Sequence, residues 1–151
     1  AFEQALKIDP TYTNYVQFML NAYVELGMPE KLQQLWQHAK PNFLTMLATY
    51  PDSDELRADL MACADIAGDF EISLGQVDYY LSLPEMTPFQ QYNVSGILSR
   101  HGRIEEATKY LRASIDGGWS VFSNIDPEWF LALKGTPEHD FIVGHIHKFT
   151  P

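Results

Sequence analysis

The sequence predicts an all-α fold made of repeated helical hairpins, and three observations support this prediction. Apolar residues recur at helical spacing over most of the chain. Glycines that suit helix ends separate pairs of such segments at near-regular intervals. The chain has 151 residues, of which 46% are hydrophobic, so it is long and apolar enough to bury a core. We therefore expect a body of stacked helical hairpins.

Three glycines, Gly27, Gly68 and Gly102, mark the corners of three hairpins. Glycine adopts at little cost the left-handed conformation that ends many helices, and acidic residues after each one suit the start of the next helix. The interval from Gly68 to Gly102 is 34 residues, and that from Gly27 to Gly68 is 41. The second interval is seven residues longer than the first, and we assign these additional residues to the segment around Pro41. Either the second helix kinks there or a new short helix begins with that proline.

The first ten residues have the pattern of a helix end followed by a helix start. Phe2 and Leu6 lie on one helical face, and Ala5 allows another helix to approach closely. Pro10 can open the following helix. We interpret this segment as the second helix of a truncated hairpin.

The first complete hairpin is predicted to begin with a helix from Tyr12 to Leu26. Apolar residues at helical spacing predict the core-facing stripe of each of its two helices. These stripes are Tyr15, Met19, Ala22, Tyr23 and Leu26 in the first helix, and Leu32, Leu35, Trp36 and Ala39 in the second.

Two further hairpins follow the same pattern. One is predicted over residues 54–67 and 70–83, between Pro51 and Pro84. The other is predicted over about 88–100 and 104–115. The second helix of this last hairpin presents small and aromatic residues on one face, namely Ala107, Tyr110, Leu111 and Ser114.

Residues 1–116 resemble the tetratricopeptide repeat (TPR) family. The resemblance rests on the aromatic, Ala, Leu and Asp-Pro pattern of the first ten residues and on the 34-residue interval. It implies a right-handed α-α superhelix, a solenoid of helical hairpins. The second unit departs from the family at Arg57, where a large aromatic residue is favoured, at Ser73, where Ala is favoured, and at Tyr80, where a small residue is favoured.

After Gly117-Gly118 the repeat pattern is lost. Asp126 can cap a short helix that starts at Pro127, and Thr136 can cap another that starts at Pro137. Because the last unit of a solenoid must cover an apolar face, we predict that residues 117–151 form a helical cap within the same domain. The tail also resembles the segment that closes TPR regions of some bacterial signalling proteins, such as winged-helix activators and class III cyclases. Its predicted core positions are Trp129, Phe130, Leu133, Phe141, Ile142 and Ile146.

Charge and composition exclude several classes of partner. The formal net charge is -10, and the ten Lys and Arg residues are scattered, so nucleic acid and anionic membrane surfaces are disfavoured. Cys63 lies in an apolar run, which predicts a buried small side chain. There is no run of about 20 apolar residues that would span a membrane. We expect a cytoplasmic protein, or a periplasmic one if a membrane span lies upstream.

The TPR resemblance implies a concave groove, lined by the first helix of each hairpin, that binds a peptide or helix of another protein. The acidic residues in it favour a basic or mixed polar-apolar partner, and the basic residues of a chaperone-type carboxylate clamp are missing. The alternative is that these acids form only a solvated face. The predicted groove residues are Asn14, Gln17, Asn21, Glu25, Glu55, Asp59, Asp65, Tyr92, Asn93 and Arg100.

No pattern of enzymatic chemistry is found. The sequence contains no glycine-rich phosphate loop, no Gly-x-Ser-x-Gly elbow and no His-Glu-x-x-His helix, so we predict no enzyme and no cofactor. Residues of metal-ligand type occur in the tail, but their spacing does not place them on one helical face, so we predict no metal site. They are Glu138, His139, Asp140, His145 and His147.

Two alternatives to the interaction module remain open. One is a regulatory domain whose tail senses a small ligand and controls an upstream effector, such as a transcriptional activator or a cyclase. The other is a homodimer formed through the apolar side of Phe2 and Leu6.

Overall fold

The computed structural model describes residues 10–122 and 126–149 and confirms the all-α prediction, since no strand occurs in these ranges. The predicted helix end at residues 1–9 lies outside the described part, as do the side chains of Asp126 and His147. The helices are α1 (Pro10–Glu25), α2 (Pro29–Thr49), α3 (Asp54–Ile66), α4 (Phe70–Leu81), α5 (Pro88–Arg100), α6 (Ile104–Asp116), α7 (Asp126–Trp129) and α8 (Pro137–Phe149), with a 3-10 turn at Leu131–Leu133.

The ends of the helices agree with the sequence prediction to within a few residues. Gly27, Gly68 and Gly102 have φ angles of 64°, 81° and 72°, so the predicted left-handed corners are confirmed. At the start of α3, the Ser53 side chain accepts a hydrogen bond from the Leu56 backbone N–H at 3.2 Å. At the start of α5, Thr87 and Gln90 form a capping box.

The additional residues around Pro41 lengthen α2 and do not form a separate helix. α2 is one helix of 21 residues with Pro41 inside it, so the alternative in which a new helix starts at this proline is wrong. Pro41 is exposed, and so is Gln37, whose carbonyl loses its helical partner. Water can therefore satisfy that carbonyl.

The chain divides into two compact units, Ala1–Asp78 (unit 1) and Tyr79–Pro151 (unit 2), with the division inside α4. In unit 1, α1 packs on both α2 and α3, and α2 packs on α3. In unit 2, α5 and α6 form a close hairpin. The tail from residue 117 shares unit 2 with this hairpin. No helix of the described ranges has the length and apolar character needed to cross a membrane.

The buried residues of unit 1 differ from the core-facing stripe that the sequence predicts for α1. In α1 the buried residues are Thr13, Val16 and Leu20, whereas Tyr15 is 56% exposed and Leu26, just after the helix, is 69% exposed. The predicted core positions of Tyr15 and Leu26 are therefore wrong, because α2 contacts α1 at Tyr12 and α3 contacts it at Thr13, which leaves Tyr15 uncovered. In α2 the predicted stripe is confirmed at Leu32, Trp36 and Ala39, with Phe43 and Met46 continuing it.

Polar contacts connect α2 to the turn between α3 and α4. Trp36 Nε1 donates to Asp69 Oδ2 at 2.9 Å, and Lys40 Nζ lies 2.9 Å from the same oxygen. Burial alone would raise the pKa of the Asp69 carboxyl, but the hydrogen bonds and charge from Lys40 and Trp36 hold that pKa below its ordinary value. Gln33 adds a 2.7 Å hydrogen bond to the Ala67 carbonyl. The turn at 67–69 is therefore held by polar as well as apolar contacts.

In unit 2 the tail packs on the hairpin of α5 and α6. The 3-10 turn and α7 contact α5, and α8 contacts α6. Phe130, Leu133 and Ile142 are fully buried, as predicted. Thr136 accepts a hydrogen bond from the His139 backbone N–H at 3.2 Å, which confirms its predicted capping role.

Candidate functional site

An exposed stripe runs along α1 in unit 1. Asn14, Asn21 and Glu25, three predicted groove residues, are spaced so that they lie on one face of this helix. Asn14 and Glu25 are exposed and Asn21 is half-buried. Gln17, also half-buried, lies three residues after Asn14 and four before Asn21, at the edge of this face on the side of Thr13, about 60° from its centre.

Phe18 lies in the middle of this stripe and is not among the predicted groove residues. It is four residues after Asn14 and three before Asn21, and it is 70% exposed. We name Asn14, Phe18, Asn21 and Glu25 the Phe18 stripe. An aromatic side chain this exposed, surrounded by amides and a carboxylate, is typical of interaction surfaces. The signal in the sequence was an aromatic residue flanked at helical spacing by polar ones.

The acidic pair, Glu55 and Asp59, lies on α3 and is joined to α1 by a hydrogen bond. The two acids are four residues apart and share one helical face. The buried Thr13 side chain of α1 hydrogen-bonds to the Asp59 carboxylate. Burial raises the pKa of Asp59 above its ordinary value, the Thr13 hydrogen bond lowers it, and the negative charge of Glu55 raises it further. Asp59 therefore lies next to α1.

Asp65 is not part of this surface. Its side chain is only 2% exposed, and it accepts a hydrogen bond from Ser73 Oγ at 2.8 Å. Six residues of helix turn its side chain by about 240° from that of Asp59, away from the acidic pair and towards α4. The prediction that Asp65 faces a groove is wrong. Ser73, one of the departures from the TPR pattern, serves as its buried partner.

Arg57, another departure, is also engaged within unit 1. It is buried, and its guanidinium donates to Gln76 Oε1 and, at 2.9 Å, to the Pro51 carbonyl. It is the only Lys or Arg in α3, and α1 has none. The exposed acids of α1 and α3 are therefore not offset by an exposed basic side chain of these two helices.

In unit 2 the tail covers one of the predicted groove positions of α5, Tyr92. Tyr92 is 9% exposed, and its ring lies 5.6 Å from that of Trp119 and 5.4 Å from those of Phe122 and Phe130, between centroids. The predicted groove role of Tyr92 is wrong, because aromatic residues of the predicted cap pack on it.

The other two predicted positions of α5 have contacts within unit 2. Asn93 Nδ2 donates to the Phe89 carbonyl at 2.8 Å, one turn earlier in the same helix. The Arg100 guanidinium stands 4.6 Å from the centroid of the Trp129 ring. The Arg100 contact joins α5 to the tail, whereas the Asn93 contact stays within α5.

The described residues give little support for a reactive cysteine or for a metal site. Burial, and to a smaller extent Asp59, raises the pKa of the Cys63 thiol, so this buried cysteine is an inert core residue as predicted. Within the described ranges, no three His, Cys, Asp or Glu side chains converge as a metal site would require. What remains at the surface of unit 1 is hydrogen bonding, negative charge and an exposed aromatic ring.

No protein-family model, curated protein or solved structure matches this chain.

Proposed function

We propose that unit 1 binds another protein through the Phe18 stripe and the acidic pair. The observation that carries this proposal is Phe18 itself, a 70% exposed aromatic side chain between two asparagines on a helix whose opposite side is fully buried. Asparagine and glutamine amides can hydrogen-bond to the backbone of an extended or helical partner, while the aromatic ring supplies apolar contact area.

We further propose that the hairpins form a TPR-like right-handed superhelix. The packing of α1 on both α2 and α3 supports this proposal, since the first helices of adjacent hairpins are also neighbours in such arrays. The three glycine corners and the 34-residue interval support it as well.

A regulatory domain that senses a small ligand with its tail has less support. The aromatic side chains of the tail are packed against α5. An open concavity of about 490 Å³ in unit 2 is lined by no tail residue; its lining is Leu81, Leu83, Pro84, Glu85, Met86, Gln91 and Tyr110.

Site-specific photo-crosslinking tests the proposed function. A photoreactive amino acid replaces Asn21 in one variant and Leu131, which is exposed in unit 2, in a control variant. We expect a protein adduct at Asn21 that is absent at Leu131 and is reduced by Phe18→Ala, with the crosslinked peptide identified by mass spectrometry. Equal adducts at both positions, or no adduct at Asn21 in the native host, would contradict the proposal.

A further inference from the structure

The exposed face of α1 carries almost no charge. Of the ten basic and twenty acidic side chains of the chain, only Glu25 lies on this 16-residue helix. The centre of the face is Phe18, which stands two residues from the buried Val16 and Leu20 and therefore points about 160° away from them. Because two copies with a net charge of -10 repel each other, a face without charge is where they approach with the least repulsion.

The side chains around Phe18 are arranged symmetrically along the helix. On one flank, Asn14 precedes Phe18 by four residues and Asn21 follows it by three. On the other flank, Tyr15 precedes it by three residues and Ala22 follows it by four. Both members of each pair lie about 40–60° to the same side of Phe18, and all four side chains are exposed or half-buried. Each flank therefore presents one residue before Phe18 and one after it, at nearly equal distances.

A face with this symmetry is complementary to a second copy of itself in the antiparallel direction. A two-fold axis beside Phe18 brings each residue opposite the one at equal distance on the other side of the axis, as in any isologous contact. Asn14 then faces Asn21 of the second copy, where each amide can donate and accept a hydrogen bond. Tyr15 faces Ala22 of the second copy, so a large ring meets a small side chain, which suits the interdigitation of packed helices. The two Phe18 rings meet at the axis.

Glu25, the one charge of the helix, has a favourable place in this arrangement. It stands seven residues after Phe18, so it lies beside the first turn of the second copy's α1. That turn contains no acidic residue of its own, and negative charge is stabilising at the N-terminal end of a helix. The two Glu25 side chains are about 21 Å apart along the helices, beyond the distance over which exposed charges repel at physiological salt.

We propose that the occupant of the Phe18 stripe is a second copy of the chain, and that two α1 helices pack antiparallel around a two-fold axis beside Phe18. This inference rests on the proposed function of unit 1 and names its partner. One pair of helices forms a smaller interface than that of a permanent dimer, and the net charges repel, so the dimer is weak and reversible. Salt screens this repulsion and leaves the uncharged contacts intact, so the dimer strengthens as salt rises.

Disulfide trapping with the full chain tests which residues are opposite each other. One variant carries Asn14→Cys and another carries Asn21→Cys, while the native Cys63 is buried and does not take part. An equimolar mixture of the two variants is oxidised with diamide at about 0.5 M salt, where the repulsion is screened. We expect covalent dimers that join one variant to the other, identified by mass spectrometry of the linked peptides.

The controls of this experiment depend on the antiparallel register. Each variant oxidised alone is expected to form several-fold fewer dimers, because two copies of the same position are about 9 Å or more apart along the helices and a disulfide requires Cα atoms within about 7 Å. A mixture of Asn14→Cys with Leu131→Cys, which places one cysteine at an exposed position of unit 2, is expected to form as few.

Sedimentation velocity measures the strength of the dimer. We expect the average mass of the unaltered chain to rise with concentration between about 10 and 500 µM and with salt. Phe18→Ala is expected to weaken association about tenfold or more, whereas Ile104→Ala, which removes an exposed apolar side chain of unit 2, is not. Ala22→Glu, which sets an acid against Tyr15 of the second copy, should weaken it more than Ala132→Glu, which adds the same charge at an exposed position of unit 2. Circular dichroism checks that every variant is folded.

Several results would overturn the inference. These are a monomer at every concentration and salt, association that weakens as salt rises, and trapping by either single variant that equals trapping in the mixture. A photo-crosslink from Asn21 to a different protein, with no dimer, would refute this inference while the proposed function stands. The absence of any adduct at Asn21 would refute both.

Discussion

At the scale of single residues, the buried polar groups of this protein differ in whether they have a hydrogen-bond partner and in how close they lie to another charge. Asp65 and Ser114 are buried with hydrogen-bond partners, Ser73 Oγ and the Pro88 carbonyl. Ser99 is buried, and its hydroxyl has no partner in the described part of the chain. Asp59 has a partner but lies close to a second acid. Because an unpartnered or crowded polar group costs free energy, these differences lead to opposite expectations for substitutions.

Ser99→Ala is expected to leave the free energy of unfolding unchanged or to raise it by up to about 1 kcal/mol, because no hydrogen bond is lost. The matched substitution Ser114→Ala is expected to lower it by about 1 kcal/mol, because the Pro88 carbonyl loses its 2.7 Å donor. Urea unfolding measured for both variants checks this contrast. A clear destabilisation by Ser99→Ala would show that its hydroxyl has a partner, such as a buried water.

Asp59→Asn is expected to stabilise the protein at neutral pH. The pKa of Asp59 is raised in the folded state, so folding favours the protonated form and the ionised form costs stability. The cost is absent below the unfolded pKa, which is near 3.8, and grows as pH rises through the folded pKa. Melting temperatures of the variant and the unaltered chain should therefore converge at low pH. A lower melting temperature of the variant at pH 7 would show that the Thr13 hydrogen bond outweighs the burial of the charge.

At the scale of secondary-structure elements, a few side-chain contacts determine how neighbouring segments pack. α2 is fastened to the turn between α3 and α4 through Trp36, Lys40 and Asp69. In unit 2, the rings of Trp119 and Phe130 pack on Tyr92 of α5. Gly96 of α5 faces the same rings, and a Cβ atom there would lie 3.6 Å from the Phe130 ring and 3.7 Å from the Trp129 ring, which are ordinary van der Waals distances.

Asp69→Asn is expected to lower the free energy of unfolding by about 1–3 kcal/mol at neutral pH, since charged hydrogen bonds to Trp36 and Lys40 are weakened. The pKa of Asp69 is lowered in the folded state, so its stabilisation is fully present above about pH 3.8 and is lost as pH falls through the folded pKa. Urea unfolding, monitored by tryptophan fluorescence, measures the free energy of unfolding at each pH. Asp78→Asn, an exposed acid on α4, is the control and should show no such difference. A difference that persists at the lowest pH would contradict the assigned cause.

At the scale of the whole molecule, negative charge and exposed apolar side chains have opposing effects. A net charge of -10 keeps copies apart at neutral pH. The exposed rings and aliphatic groups of α1 favour contact once that repulsion is removed.

We therefore expect self-association to increase as pH falls towards the isoelectric point near 4.7. Light scattering between neutral pH and that point should show it, and Phe18→Ala should reduce it more than Ile104→Ala does. If the two variants associate to the same degree, the surface of α1 is not the main site of contact.

The sequence by itself determined the helices and their order. Helix boundaries depend on local chemistry, namely glycine corners, capping side chains such as Ser53 and Thr136, and apolar periodicity, and all of these can be read without knowing the fold. The cores of α2 and α6 were also predicted, because each of these helices has one clearly apolar side. The negative charge of the Phe18 stripe and of the acidic pair followed from composition and spacing.

Only the tertiary structure decided which sides of α1 and α5 remain at the surface. Both helices carry aromatic or aliphatic residues on more than one face, so periodicity could not show that Val16 is buried and Phe18 exposed. The burial of Asp65 depends on Ser73 of the next helix, and that of Tyr92 depends on Trp119, Phe122 and Phe130 of the tail. These contacts join residues of different segments, so their effect on exposure appears only when the segments are packed together.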